Sequence, residues 1–490
     1  MEIKKSIQSN KATIYIFLYL LSVTVLIYYL FSNWAYDDPF ITYRYARNIA
    51  NGLGFVYNPN EFVQSTTTPL FSLLLAVLYP IWVDLPHLAI LIGSFSLALG
   101  AVFLWVLAQS WQSPLVGWIS LLLYPSFPLL LSTLGSETPT YLAFCLGGFA
   151  FYSRRNYNLS AVFAALAVLT RPDGALIPII LAADYLIRIR RPIPWKPILI
   201  FFILTLPWFI FAWGYFGSPV PVTMAAKQHQ GSMTISQGFA PGLLTIAKPY
   251  FKHWFYWLEA ALAIIGFVYM VLRARRWLLF LAWVAFYFLA FSLLGVSRYF
   301  WYYAPLIPGF IILVGLGVTA IAFWGDLLLH HFNMKRDRIQ QFPSYLATVI
   351  ILLLALGIGV STKQLLAQTD SRRLVYRAIG EWIHSNAPED ASIATLEVGI
   401  IGYYAQRPII GFAGLIQPEV GDQLNLESTY EDAALWAVEE YRPDYLVLQT
   451  GLFPRLMESY VSHYCTTVQH FPGESYRYGG NLSIYSCKDE

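Results

Sequence analysis

The chain has 490 residues, 57% of them hydrophobic and 12% charged, with a formal net charge of +3. Ordinary globular proteins carry about 25% charged residues, so a soluble fold of this size, a disordered chain and a collagen-like fibre are excluded, and three cysteines staple no disulfide scaffold. The small positive balance gives no reason to invoke nucleic acid. What remains is an α-helical polytopic membrane protein partnered by the lipid bilayer.

A bilayer core of about 30 Å takes about 20 apolar residues of helix. Residues 12–31 form the first span, expected to remain as an anchor because no small-residue cleavage pattern precedes Trp34. A short apolar stretch at 69–83 follows an outer loop. Further spans are expected at 88–108, 114–132, 138–153, 158–170, 174–188, 197–213, 256–272, 277–295, 303–324 and 344–361.

Charge sets the topology, because short loops rich in Lys and Arg stay in the cytoplasm. Five clusters do this: Lys4, Lys5 and Lys11; Arg154 and Arg155; Arg188, Arg190, Arg191 and Lys196; Arg273, Arg275 and Arg276; and Lys335, Arg336 and Arg338. If all share one side, an even number of crossings separates consecutive clusters. Five apolar segments lie between Lys11 and Arg154, so one cannot cross, and 69–83 is the weakest. It is expected to lie in the outer interface or dip back out of it. The result is eleven spans in the plasma membrane, with the N-terminus cytoplasmic and the C-terminus extracytoplasmic. The first loop (32–87), the loop 214–255 and the turn Arg171-Pro172-Asp173-Gly174 then share the outer face.

Residues 1–361 read as the transmembrane part and 362–490 as an extracytoplasmic α/β domain. Helix-like stretches at Arg372–Asn386 and Thr429–Tyr441 alternate there with strand-like runs at Ala391–Leu396, Asp444–Leu448 and Leu482–Ser486. Outside the cytoplasm Cys465 and Cys487 either pair across a terminal hairpin or stay free. Cys145 falls within a span and reads as packing. Asn158-Leu159-Ser160 and Asn481-Leu482-Ser483 match a glycosylation pattern that matters only in a eukaryotic secretory pathway.

The spans carry hardly any charge at their centres, unlike ion-coupled transporters, whereas the outer loops are rich in it. Asp37-Asp38-Pro39-Phe40 follows the first span directly. Two adjacent carboxylates at a low-dielectric boundary repel, which tunes one as a base; alternatively they cap a helix that Pro39 opens. Glu137, in Gly135-Ser136-Glu137-Thr138-Pro139, is a second carboxylate on that face or a cap of its own helix. Four cations share the face: Arg44, Arg171, Lys227 and Arg298. Singly they read as a turn pair, a snorkelling lysine or an interfacial belt. Together, beside carboxylates, they suit a lipid phosphate that leaves with negative charge. No Walker-type loop, dinucleotide Gly motif, HExxH or CxxC pattern occurs.

The stretch Tyr36–Leu70, containing DDPFITYRYARNIANGLGFVYNPNEFVQSTTTPL, resembles the first outer loop of the GT-C membrane glycosyltransferases. It is most similar to the arabinofuranosyltransferase-like and protein-mannosyltransferase-like bacterial branch. GSETP at 135–139, LTRPDG at 169–174, YFGSPVPVTMAAK at 215–227, SRYFWYYAPLIP at 297–308 and GIIGYYAQRPIIGFAGL at 399–415 follow in the same order. The resemblance implies a polyprenyl-phosphate sugar donor, a glycan, lipid or protein acceptor, and work on the outer membrane face. It implies a first-loop acid as general base, which here is Asp37 or Asp38. The lipid phosphate would depart toward Lys227, Arg298, Arg44 or Arg171, with Glu137 positioning the acceptor or the base and 69–83 walling the prenyl chain. Gln64-Ser65-Thr66 departs from the Glu-Gly pair common in the arabinofuranosyltransferase-like relatives, which bears on donor or acceptor preference. No cofactor is expected, and nothing indicates a metal, although relatives with diphosphate donors bind a divalent ion. A lipid-carrier flippase or transporter, or a silent glycan-binding membrane protein, are the rival readings.

Overall fold

The computed structural model describes residues 2–189, 192–331, 342–368 and 371–487. Arg190, Arg191, Lys335, Arg336 and Arg338, used in the topology reading, lie outside these. Helices occupy all eleven expected positions. Seven of them, among the described residues, are long and apolar enough to cross a membrane: Lys11–Phe31, Leu85–Ser110, Trp195–Phe216, Trp254–Arg273, Arg275–Leu294, Phe300–Gly325 and Tyr345–Leu366. Their outward faces carry large exposed apolar side chains, Ile203, Ile210 and Trp213 for example, which is a cost in water and none in lipid.

The other four positions hold shorter helices for local reasons. The expected span 114–132 is not continuous: Pro125 and Pro128 divide it into Pro114–Leu123, Tyr124–Ser126 and Pro128–Leu131, because proline lacks the N–H and clashes with the preceding turn. Thr138–Ser153 and Tyr157–Thr170 follow, and Leu176–Asp184 runs on into Tyr185–Ile189. Helix α1 is Glu2–Phe31, α2 is Pro39–Ala50, α3 is Pro69–Leu78 and α4 is Leu85–Ser110. Proline stands in the first turn of α2, α3 and α4, where its fixed φ starts a helix and its missing N–H costs nothing. At ten residues α3 reaches only about 15 Å, too short to cross.

Close helix crossings depend on glycine. Gly266 and Gly317 let Trp254–Arg273 lie against Ile307–His331, since a Cβ on either would collide with the backbone of the other helix. Glu259 qualifies the reading of charge-free spans. It is 4% exposed within Trp254–Arg273, and its Oε2 has no hydrogen-bond partner among the described residues.

The C-terminal part forms a five-stranded sheet in the order β2-β1-β3-β5-β4. Its strands are β1 Ile393–Thr395, β2 Ile409–Gly411, β3 Tyr445–Gln449, β4 Cys465–Phe471 and β5 Leu482–Cys487. β1 pairs in parallel with β2 and β3, and β5 runs antiparallel to β3 and β4. Helices Arg372–Asn386 and Tyr430–Tyr441 occur where expected; β2 and β4 are additional strands. Cys465 and Cys487 face each other across β4 and β5 and are disulfide-bonded, and Cys145 is buried and free.

One hydrophobic core joins the two parts. Phe40, Tyr43 and Tyr57 of the first loop pack with Val375, Ile379, Ile401 and Ile409 of the C-terminal part. Burying this shared surface makes the first loop and the sheet a single packing unit.

Candidate active site

The polar residues of the first loop divide into two sets. One set grips the C-terminal backbone. Asp37 Oδ2 accepts the Gly399 N–H at 2.8 Å and Oδ1 the Ile400 N–H at 2.7 Å. Arg44 donates to the carbonyls of Tyr57, Gly402 and Arg407 at 2.9, 2.9 and 2.7 Å, and to Asn58 Oδ1 at 3.1 Å. Arg47 donates to the Tyr403 carbonyl, and Asn58 exchanges two bonds with the backbone of Ile409. The C-terminal partners, Gly399, Ile400, Gly402, Tyr403, Arg407 and Ile409, all fall within the GIIGYYAQRPII stretch. Burial pushes the Asp37 carboxyl up to about 6, while the Ile400 and Gly399 amides pull the other way.

The other set faces a cavity of about 480 Å³. Its polar end carries Asp38, Glu137, Arg171, Asp173 and Lys227, with Ser65, Thr66, Thr67 and Thr68 along one wall. Leu176, Phe209, Val220, Met224, Phe291 and Leu294 make its apolar side. The neighbours Asp37 and Asp38 therefore do different things, because Pro39 opens α2 directly after them and the tight turn aims their side chains apart.

Lys227 sits 3.0 Å from Asp38 and stands over the rings of Tyr299 at 3.9 Å and Trp301 at 5.1 Å. Burial alone would lower its pKa; the Asp38 carboxylate more than reverses this and holds the ammonium charged. Trp301 in turn stacks on Tyr36. In the same lining, Arg171 Nη1 lies 3.3 Å from Glu137 and its Nε 3.0 Å from Asp173, with its guanidinium near the Tyr141 and Tyr302 rings. Burial raises the Glu137 pKa and Arg171 offsets part of that rise. The turn pair expected for Arg171 and Asp173 is present, and the same arginine also binds Glu137.

Two expected phosphate ligands do not line the cavity. Arg44 is 2% exposed and occupied by four oxygens. Arg298 is exposed and donates to Gln237 Oε1 at 2.7 Å. Their charge and outer-loop position gave no hint of this, because the C-terminal carbonyls that occupy Arg44 are more than 350 positions away. Tyr36, Thr223, Trp301 and Tyr302 were not anticipated as lining residues. Among the described residues no group of three or more His, Cys, Asp or Glu side chains is placed to hold a metal ion.

Residues 364–485 match a family model described as a domain of unknown function, DUF8728. No curated protein matches the chain. Among solved structures, ArnT from Cupriavidus metallidurans in the apo state shares 15% identity at a TM-score of 0.60, covering 97% of this chain and 98% of that one. The same protein bound to undecaprenyl phosphate aligns at 0.57 with the same identity and coverage. The oligosaccharyltransferase of Archaeoglobus fulgidus, tethered with an acceptor peptide, aligns at 0.58 with 13% identity, over 96% of this chain and 74% of that one. The chain thus has the multi-pass GT-C membrane fold that its motifs resemble, with a small C-terminal sheet unit.

Proposed function

We propose that the protein is a glycosyltransferase that moves a sugar from a polyprenyl-phosphate donor to an acceptor hydroxyl on the outer membrane face. Asp38 serves as general base and Lys227 and Arg171 meet the departing phosphate. The observation that carries the reading is the Asp38–Lys227 pair at the polar end of a largely apolar cavity. It sets a base beside a fixed cation next to walls suited to a lipid chain.

Asp38 is favoured over Asp37 because Asp37 spends both carboxylate oxygens on backbone amides. In the proposed step Asp38 takes the acceptor O–H proton as that oxygen bonds to the anomeric carbon. The bond from carbon to phosphate oxygen breaks on the opposite side, its electron pair leaves with the phosphate, and the centre inverts. Before donor arrives, Lys227 is paired with Asp38. A phosphate in reach of Lys227 draws the ammonium toward itself and leaves the Asp38 carboxylate free to accept from the acceptor hydroxyl. Glu137 holds Arg171 in place, and the apolar wall for the prenyl chain comes from Leu176, Phe209, Met224 and Leu294 and not, as the sequence led us to expect, from 69–83, none of which lines this cavity. The fold shared with an undecaprenyl-phosphate-bound ArnT supports a lipid-phosphate donor. Lys227 and Arg171 meet the charge that develops on the phosphate.

The test is release of free polyprenyl phosphate from a panel of lipid-phosphate sugars by the purified protein and its Asp38→Asn variant. Removing a general base costs about 100-fold or more. Turnover that Asp38→Asn abolishes bears the proposal out; no release from any donor with acceptors present overturns it in favour of a flippase or a glycan-binding protein.

A further inference from the structure

The cavity wall beside Lys227 is built of hydroxyls that the phosphate chemistry does not use. Ser65, Thr66 and Thr68 line it. The Thr66 and Thr68 hydroxyls bond to each other at 3.0 Å and to Thr42 at 3.4 and 3.2 Å. Ser65 is 4% and Thr223 5% exposed, and neither side-chain oxygen has a hydrogen-bond partner among the described residues. The same holds for Asp173 Oδ2, whose other oxygen is held by Arg171. An unpaired buried hydroxyl or carboxylate oxygen is destabilising, so three at one cavity call for a polar occupant.

Position says which part of a donor they would meet. Thr223 and Lys227 lie at i and i+4 of the Val222–Ser232 helix and so share a face. They are offset along the axis by about 6 Å, the scale of one sugar ring. The Val222 N–H donates to the Gln64 carbonyl at 3.1 Å, which sets Ser65 against Thr223. A phosphate at Lys227 thereby leaves the adjoining ring against Ser65 and Thr223, with Asp173 on the lining of the same cavity.

We infer that Ser65, Thr223 and Asp173 form a sugar subsite that selects an uncharged, polyhydroxylated monosaccharide on the donor. This rests on the lipid-phosphate-sugar reading above and adds the class of sugar. Hydroxyls donate to Asp173 Oδ2 and exchange bonds with Ser65 and Thr223. A sugar carrying a carboxylate is disfavoured, because the cavity lining holds three acids, Asp38, Glu137 and Asp173, against two cations, Arg171 and Lys227.

The experiment uses the full-length protein in detergent or lipid, with Ser65→Ala, Thr223→Val and the conservative Thr223→Ser. Turnover is compared between a neutral polyprenyl-phosphate sugar and its deoxy analogues. Wild type should prefer the parent sugar by about 3- to 10-fold for each hydroxyl that meets the wall. Thr223→Val and Ser65→Ala should each erase that preference for one hydroxyl position, and Thr223→Ser should restore it. Thermal stabilisation by the sugar-bearing lipid over free polyprenyl phosphate gives a readout independent of catalysis, and the two variants should lose that increment. Unchanged discrimination and an unchanged increment in both variants overturn the subsite while turnover upholds the transferase. Equal stabilisation of wild type by the two lipids, with no turnover, overturns both. Preference for a uronic acid donor overturns the class of sugar alone.

Discussion

Asp37 and Gly399 are 362 positions apart, yet the Asp37 carboxylate accepts the Gly399 N–H at 2.8 Å, and a Cβ on Gly399 would run into the Asp37 backbone and carboxylate. This contact docks the C-terminal sheet unit onto the turn that aims Asp38 at the cavity. It makes a distant residue a determinant of the site's geometry.

Gly399→Ala should therefore undock the C-terminal part without touching the cavity wall. Limited proteolysis should cut the variant within the 364–485 region under conditions where wild type survives, and turnover should fall by at least about 10-fold, because displacing a positioned group by about 1 Å costs about 100-fold. A variant as resistant and active as wild type contradicts the role assigned to the contact.

The two aspartates should separate by phenotype. Asp38→Asn should lose activity while the C-terminal unit stays docked, its stability cost being that of leaving Lys227 unpaired, whereas Asp37→Asn places an amide against one backbone N–H, loosens the C-terminal unit and should cost about 1–3 kcal/mol of stability. Arg44→Ala, which strips the donor from four buried oxygens, should cost at least as much. Thermal unfolding run beside the polyprenyl phosphate assay distinguishes these outcomes.

The cations make a matched pair of predictions. Lys227→Gln should lower kcat by about 100-fold, as expected when a charge that stabilises a leaving group is lost. Arg298→Gln should stay within about twofold, since its exposed guanidinium faces Gln237 and lies off the cavity. An inactive, folded Arg298→Gln would return that arginine to the phosphate site.

Stability should fall as pH rises. Burial takes the Asp37 carboxyl from an ordinary 3.8 to about 6. Glu397 is also raised, first by burial and then by the Asp37 carboxylate, with Arg372 at 3.8 Å pulling it back. An acid whose folded pKa lies above its unfolded value binds its proton more tightly when folded. Its contribution is complete below about pH 4 and is lost as pH climbs through the folded pKa. The melting temperature should be higher at pH 5 than at pH 8, and Glu397→Gln should flatten that difference. A slope that Glu397→Gln leaves intact would remove Glu397 from the account.

Orientation is open to labelling. An exposed outer-loop position, Lys252→Cys, should react with an impermeant maleimide on intact cells, and Arg154→Cys only after lysis; both side chains are exposed. The native Cys145 is buried and Cys465 and Cys487 are bonded. The reverse pattern would place the cavity in the cytoplasm.

Composition and hydrophobic run length by themselves determined that this is a helical membrane protein, where its helices lie, and that a small α/β unit follows them, because bilayer thickness acts on contiguous residues. Four cations, Arg44, Arg171, Lys227 and Arg298, were legible as candidates because a charge in an otherwise apolar chain needs a reason, and of these Lys227 and Arg171 line the cavity. What the sequence could not carry was the division of labour within like residues. Asp37 and Asp38 are adjacent, and only the arrival of Gly399 and Ile400 makes one a structural tie and leaves the other facing the cavity. Arg44 and Arg171 look alike as outer-loop cations, but one is saturated by carbonyls from the far end of the chain and the other faces two acids. The hydroxyl wall was invisible for the same reason. Serine and threonine are common, and only packing Ser65 against the Val222–Ser232 helix brings their unpaired oxygens to one cavity. Hydrogen bonding and desolvation act between residues that folding brings together across hundreds of positions, so tertiary structure alone decided which polar groups were spent and which were left to work.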